Sequence, residues 1–357
     1  SPTGRSAVAY RVLNHIALTT TGPFGDPEEW FSDLDDFSRF CSDHTWAPVF
    51  YAVHEEQKDY LQEQGWHSIM VGEEMLIDPQ AWKTTGKKWQ DVRTAINKAK
   101  REGIVDVMTT FDEAPADVQS QIEGISEQWS QGKALPEMKF TLGGVEELKD
   151  PRVKILYAID GDGVVQAVTS WLPTWRGGHV IGWTLDFMRY NHGSYNGIME
   201  FLIARMAQRM HDWGEAHPDE QVQFVSLSAA PLSGLQHSSD ATSDDTSNID
   251  GTTVLQHSLA LVADLLEPAY GFKSLYRFKL KFQPIQRPVY ICYRDSALLP
   301  NLAIAIIRAY LPSLTFREAL GMLSSFKPKD DAPASADSPS SAPAASSAPS
   351  PASAPSD

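Results

Sequence analysis

The sequence predicts a mixed α/β protein with helices layered on sheets, arranged in two halves. Strand-like and helix-like segments alternate along most of the chain, the pattern of a layered α/β architecture. Apolar residues make up 42% of the 357 residues and include ten tryptophans, enough for a sizeable core. The second half then repeats the strand-and-helix style of the first, so a duplicated domain is an open reading.

Residues 12–18 read as a strand. The turn Gly25-Asp26-Pro27 leads into a helix over 29–43, with Trp30, Phe31, Leu34, Phe37 and Phe40 on one face. A short strand over 48–53, a charged helix from Glu55, and apolar pieces either side of Gly72-Glu73-Glu74 follow. A helix from Trp89 to Glu102 stops at Gly103, ahead of a strand over 104–108 and a helix from Glu113 to Gln131. Beyond it, Lys154 to Ile159 and Val164 to Trp171 form a hairpin around Asp160-Gly161-Asp162-Gly163.

From His179 to Met188 the residues alternate. Ile181, Trp183, Leu185 and Phe187 share one strand face, and Gly182, Thr184, Asp186 and Met188 the other. Asp186 thus opposes the apolar row, and Arg189 follows where the strand gives way to a loop carrying Gly193 and Gly197. Met199, Leu202, Ile203, Met206, Met210 and Trp213 then recur at helical spacing up to Gly214. A strand, a glycine-bearing loop and a buried helix let backbone N–H groups meet a polar ligand. An Asp186–Arg189 ion pair fixing a turn accounts for the same spacing. A strand over 222–228, a polar loop over 236–253 expected to be mobile, a helix over 255–267 and a strand over 289–293 complete the folded part. From Lys327 the chain is almost wholly Ala, Pro, Ser and Asp and is expected to be disordered.

A net charge of −16 argues against a nucleic-acid partner, but the distribution is uneven. Lys83, Lys87, Lys88, Arg93, Lys98, Lys100 and Arg101 form one basic stripe, and Lys273, Arg277, Lys279, Lys281 and Arg287 a second. Both suit phosphate groups, and both also read as solvated faces. Two cysteines, Cys41 and Cys292, sit in apolar segments, which suits a reducing compartment, and no zinc spacing is present. The segment Leu302 to Leu311 is too short to cross a bilayer and contains Arg308. With no signal peptide and Ser1 first, the chain reads as a soluble piece of a longer protein. Walker, Rossmann, Gly-x-Ser-x-Gly and His-Glu-x-x-His motifs are absent. Arg189 to Gly197 lacks the glycine spacing of a coenzyme A loop.

Several pieces occur in a telling order: Gly25-Asp26-Pro27, Phe50-Tyr51, Gly72-Glu73-Glu74, the Gly86-Lys87-Lys88 to Gly103 helix, Asp186 to Arg189, Ala230 to Gly234, and Phe278 to Tyr290. Together they resemble the cytosolic catalytic domain of bacterial phosphatidylglycerol lysyl- or alanyl-transferases, the multiple peptide resistance factor family. The resemblance implies tandem acetyltransferase-like (GNAT-type) domains, an N-terminal one over 1–135 and a C-terminal one over 136–326 carrying the active site, with a tail over 327–357. It implies transfer of lysine or alanine from aminoacyl-tRNA to a hydroxyl of a membrane glycerolipid, phosphatidylglycerol first, at the cytoplasmic face of the bacterial membrane. Such transfer lowers negative surface charge and gives resistance to cationic antimicrobial peptides. No cofactor or metal is implied. Asp186, Arg189 and Lys281 carry over as catalytic, Lys279, Arg287, Glu74 and Tyr190 as substrate-binding, and Lys87, Lys88, Arg93 and Lys98 as tRNA-binding. The lysines 279 and 281 match a lysine-bearing strand. The 236–253 segment reads as an insertion, the tail as an addition, and Gln286 stands where an aromatic is expected. A ligase acting on a cell-wall peptide amine and a non-catalytic binder of tRNA or lipid are the competing readings.

Overall fold

Two successive residues in the left-handed region, Asn14 and His15 (φ 51° and 63°), split the expected 12–18 strand into a hairpin. A two-residue turn of this kind matches the twist of the strands it joins, and asparagine tolerates the conformation. The resulting strands are β2 (Tyr10–Leu13) and β3 (Ile16–Thr19). The computed structural model describes residues 1–131, 143–231 and 272–310. The expected 236–253 loop, 255–267 helix and Ala/Pro/Ser-rich tail lie outside the described residues.

Two short strands, β1 (Ser6–Ala7) and β4 (Phe24–Gly25), pair with each other at the start of the chain. Helix α1 (Trp30–Asp43), strand β5 (Ala47–Val53), helix α2 (Glu55–Glu63) and strand β6 (His67–Ile77) follow, with β6 running unbroken through Gly72. Then come α3 (Gln90–Arg101), closed by left-handed Gly103, β7 (Val105–Thr109), α4 (Ala116–Gln131) and α5 (Val145–Leu148). Strands β8 (Lys154–Ile159), β9 (Val165–Arg176) and β10 (His179–Tyr190) form a meander. Helix α6 (Ile198–Ala216) crosses over to β11 (Phe224–Pro231), and α7 (Phe272–Leu280), β12 (Ile285–Tyr293) and α8 (Leu299–Tyr310) complete the described chain.

Ten strands form one sheet in the order β2-β3-β5-β12-β6-β11-β10-β9-β8-β7. An internal repeat explains that order. In the first half β3 leads through α1 to a parallel partner, β5, then through α2 to β6; in the second, β10 leads through α6 to parallel β11, and α7 precedes β12. The closing strands are exchanged. β12 lies antiparallel to β5, β6 lies antiparallel to β11, and the two pair with each other at the centre. The architecture is the expected mixed α/β one, with both halves sharing a sheet. Strand β7, from the first part of the chain, lies at the far edge beside β8.

Both parallel strands carry the same irregularity. β5 has one extra residue opposite β12 with Ala52 at φ 57°, and β11 has one opposite β6 with Ser228 at φ 63°. Apolar layers cover both faces of the sheet. Helices α1 and α2 bury Leu34, Phe37 and Leu61 against Phe50 and Val53, and α8 covers the other side of the first half from Leu299 to Tyr310. In the second half α3 and α6 bury Val92, Ala95, Leu202 and Met206 on one face, and α4 with α5 bury Ile122 and Leu148 on the other.

The expected apolar face of α6 is correct from Met199 to Met210, but Trp213 is 45% exposed and stacks on His217. Leu202→Ala, at a fully buried position, should therefore cost about 2–5 kcal/mol in denaturant unfolding. Trp213→Ala should cost about 1 kcal/mol or less, as a surface change does.

Candidate active site

β10 and β11 pair over only three rungs, from Gly182↔Phe224 to Thr184↔Ser226. Immediately beyond, each strand gains a bulge, β10 between Leu185 and Met188 and β11 between Ser226 and Ala229. The two strands then follow their outer neighbours, β10 along β9 and β11 along β6. The parallel pair opens at this point. Ser228 bridges the fork: its Oγ donates to the Leu185 carbonyl, and its own N–H donates to Ser226 Oγ at 3.1 Å.

One lip of the fork carries a buried lysine. The expected lysine-bearing strand is instead helix α7, because Tyr276, Phe278 and Leu280 pack on the α6 layer and leave Lys279 aimed at β11. Lys279 is 4% exposed, and its Nζ donates to the carbonyls of Ser228 (3.3 Å) and Ala229 (3.1 Å). Burial pushes its ammonium down to about 7, opposed by the Glu74 carboxylate. Glu74 on β6 accepts from Ser226 Oγ at 3.0 Å and lies 3.1 Å from His54 Nε2. Lys281, just past α7, pairs instead with buried Glu200 of α6 at 2.7 Å. Of the two lysines, only Lys279 touches the fork.

The other lip carries Asp186 and Arg189. The β10 bulge breaks the expected alternation: Leu185 and Met188 face the α6 layer, whereas Phe187 joins the α4–α5 cluster, so Phe187 does not share a face with Leu185. Asp186 accepts from the Gly143 N–H at 2.9 Å, and a side chain at Gly143 would collide with its carboxylate. Burial raises the Asp186 carboxyl above its ordinary range; the Gly143 bond opposes this, Glu147 adds to it, and Arg189 weakly opposes it. Arg189 is 8% exposed, donates to the Met188 carbonyl at 2.8 Å, and has its guanidinium carbon over the Trp129 ring, 3.5 Å from the ring centre.

The remaining expected residues spread around this core. Arg287 is exposed beside Glu74 in the β12–β6 register, and Tyr190 is exposed at the end of β10. Gln286 takes a polar role: with Tyr276 it donates to Glu73 Oε2, at 2.8 and 3.0 Å. In the basic stripe Lys87 and Lys88 are exposed ahead of α3, whereas Arg93 holds the loop before it through the Thr84 and Gly86 carbonyls. Lys98 lies over the Tyr195 ring at 4.9 Å, and the Tyr195 hydroxyl donates to the Ala95 carbonyl. His54 escaped the sequence reading, since it becomes visible only when α2 is set beside β6. Among the described residues His211, Asp212 and Glu215 have the spacing to hold a metal ion, on α6 and largely exposed.

Residues 1–293 match the family described as phosphatidylglycerol lysyltransferase, C-terminal. The chain belongs to that family. An uncharacterised protein of Corynebacterium glutamicum is 37% identical over 316 residues, which cover 87% of this chain and 37% of the relative. The lysylphosphatidylglycerol biosynthesis bifunctional protein LysX of Mycolicibacterium vanbaalenii is 25% identical, over 87% of this chain and 26% of its own length. The chain thus spans 26–37% of the length of these relatives. The solved structure of L-PGS from Bacillus licheniformis shares the fold, with a TM-score of 0.69 at 22% identity over 87% of each chain. No helix among the described residues is long and apolar enough to cross a membrane.

The buried lysine has a measurable signature. Between pH about 7 and about 10.4 the folded state holds Lys279 neutral while the unfolded chain keeps it protonated. Unfolding takes up a proton in that window, so stability should rise with pH there by about 1.4 kcal/mol per unit. Lys279→Met should remove that slope in unfolding titrations, and an unchanged slope would assign the proton elsewhere.

Proposed function

We propose that this chain is the transfer domain of a lipid aminoacyl-transferase: it moves an amino acid from aminoacyl-tRNA to a hydroxyl of phosphatidylglycerol. Membership of the family supports this, and the fork between β10 and β11, with Lys279 on one lip and Asp186 with Arg189 on the other, is the observation that carries it. In the reaction the lipid hydroxyl oxygen bonds to the carbonyl carbon of the aminoacyl ester. The bond to the ribose oxygen breaks, and the hydroxyl proton ends on that oxygen. One ester replaces another, so the activated tRNA ester supplies the driving force and the reading needs no cofactor.

What the site must add is position, a proton carrier and charge complementarity. A neutral Lys279 amine has two N–H bonds and one lone pair. The Ser228 and Ala229 carbonyls take both N–H groups, which leaves the lone pair to accept the lipid proton and return it to the leaving oxygen. Arg189, set over the Trp129 ring, offers a planar fork for a phosphate of the lipid or of the tRNA end. Asp186 fixes the backbone at Gly143 and offers a carboxylate to the ammonium of the aminoacyl group. Lys87 and Lys88 supply exposed positive charge for tRNA phosphates.

Incubation with tRNA charged with lysine or alanine and phosphatidylglycerol vesicles should give an aminoacyl lipid, identified by mass. Product on a peptide amine instead, or none, would overturn the proposal. Asp186→Asn keeps an oxygen for Gly143 and removes only charge, so it should lower turnover on the order of a hundredfold with unfolding unchanged. Arg189→Lys should fail as well, and the double variant should lose less than the sum of the two.

Binding gives a separate test. Lys87→Glu with Lys88→Glu should weaken tRNA binding and flatten its dependence on log salt by about 0.7–0.9 for each phosphate that is no longer neutralised. A slope equal to that of the unsubstituted chain would place the tRNA elsewhere.

A further inference from the structure

His54 comes from the first half of the sheet, yet its ring meets Glu74, the carboxylate whose charge reaches the lysine of the second. It stands at the start of α2, where the Gln57 side chain accepts from its backbone N–H at 3.4 Å, leaving the imidazole to reach across to β6. There its Nε2 lies 3.1 Å from Glu74 Oε2. A carboxylate only accepts, so Nε2 carries the proton and donates. The other oxygen of Glu74 accepts from Ser226 Oγ, at the base of the bulge whose carbonyls hold Lys279. Glu74 is thus clamped from two sides, by α2 of one half and β11 of the other.

We propose that His54 is a positioning residue: its hydrogen bond holds the Glu74 carboxylate in the clamp beside Lys279, so that the first half of the sheet sets how readily the lysine of the fork carries a proton. The inference rests on the role given to Lys279 above. The groups facing His54 are Glu74 from β6, Arg287 from β12 and Glu56 from its own helix, and burial with the Arg287 charge pushes its pKa below the ordinary histidine range. The imidazole therefore stays neutral near pH 7, and the clamp does not switch with its charge. Glu74 stands opposite Ala229 in the β11–β6 register, and Lys279 donates to the Ala229 carbonyl, so the carboxylate favours the ammonium against burial. A fixed carboxylate keeps the lysine poised where it both takes and gives a proton; without it burial alone would hold the amine neutral and weaken it as a base.

The test reads Lys279 directly and needs no turnover. Lysine labelled with carbon-13 at Cε is incorporated into the full chain, the Lys279 signal is assigned by its loss in Lys279→Met, and its titration midpoint is followed by NMR. Glu74→Gln should lower the midpoint by about one pH unit, the effect of removing one nearby opposite charge. His54→Leu should lower it in the same direction. His54→Gln should restore it, because a glutamine amide reaches as far as Nε2 and also donates. His54→Ala removes the donor without a bulky replacement, should lower the midpoint too, and decides the matter if His54→Leu does not fold. An unchanged midpoint in Glu74→Gln, or equal midpoints for the leucine and glutamine variants, would overturn the proposal. In the lipid assay the rising limb of the kcat profile should move with the midpoint. A chain in which the midpoints shift as expected but no aminoacyl lipid forms would overturn the transfer function and leave the clamp standing.

Discussion

A strand that must leave one neighbour while keeping the other needs an extra residue on one side, and in β11 that residue comes with Ser228 in the left-handed region. A non-glycine residue adopts this conformation at a cost of about 1 kcal/mol or more, so something must hold it. Its hydroxyl meets the Leu185 carbonyl where the β10 ladder lapses, and its N–H is taken by Ser226. The carbonyls of Ser228 and its neighbour Ala229 then point at the Lys279 amine. The opening of the sheet, the anchoring of the lysine and the turning of Asp186 toward Gly143 all follow from the paired bulges.

The two lysines at the end of α7 show how packing sorts residues that a sequence leaves equivalent. Lys279 enters an apolar layer with two carbonyls as its hydrogen-bond partners, and desolvation, opposed by the Glu74 charge, favours its neutral form. Lys281, two residues on, pairs with the buried carboxylate of Glu200 at 2.7 Å. A buried amine held by carbonyls and a partner in an ion pair thus arise from the same residue type at nearly the same place.

Much of the layered fold was legible because its cues are local. Helix α3 announces itself by apolar spacing and by Gly103, and the β8–β9 hairpin by Asp160 and Gly163, whose turn the Asp160 carboxylate closes onto the N–H groups of Asp162 and Val164. Asp186 and Arg189 were singled out by their order in the chain, and the structure sets them on the β10 side of the fork. What the chain could not display was anything decided across the sheet. The bulge that turns Phe187 away from Leu185 depends on β9, the helical state of Phe272–Leu280 depends on the α6 layer, and the meeting of His54 with Glu74 depends on α2 lying over β6. Gln286 likewise looked like a departure from pattern until Glu73 and Tyr276 were set beside it.

The exchange of closing strands has a consequence for the chain as it leaves the ribosome. Strand β5 ends at Val53, but the neighbour that covers its free edge begins at Ile285. At about 5–20 residues per second that neighbour arrives roughly ten to fifty seconds later. Through that interval β5 has an open edge of backbone N–H and carbonyl groups, and β6 waits for both of its partners, β11 and β12. Pairings so distant in sequence close slowly even once the whole chain is present. The nascent protein therefore spends its synthesis with adhesive edges at what will become its centre, a state in which a chaperone that shields strand edges would have most to do.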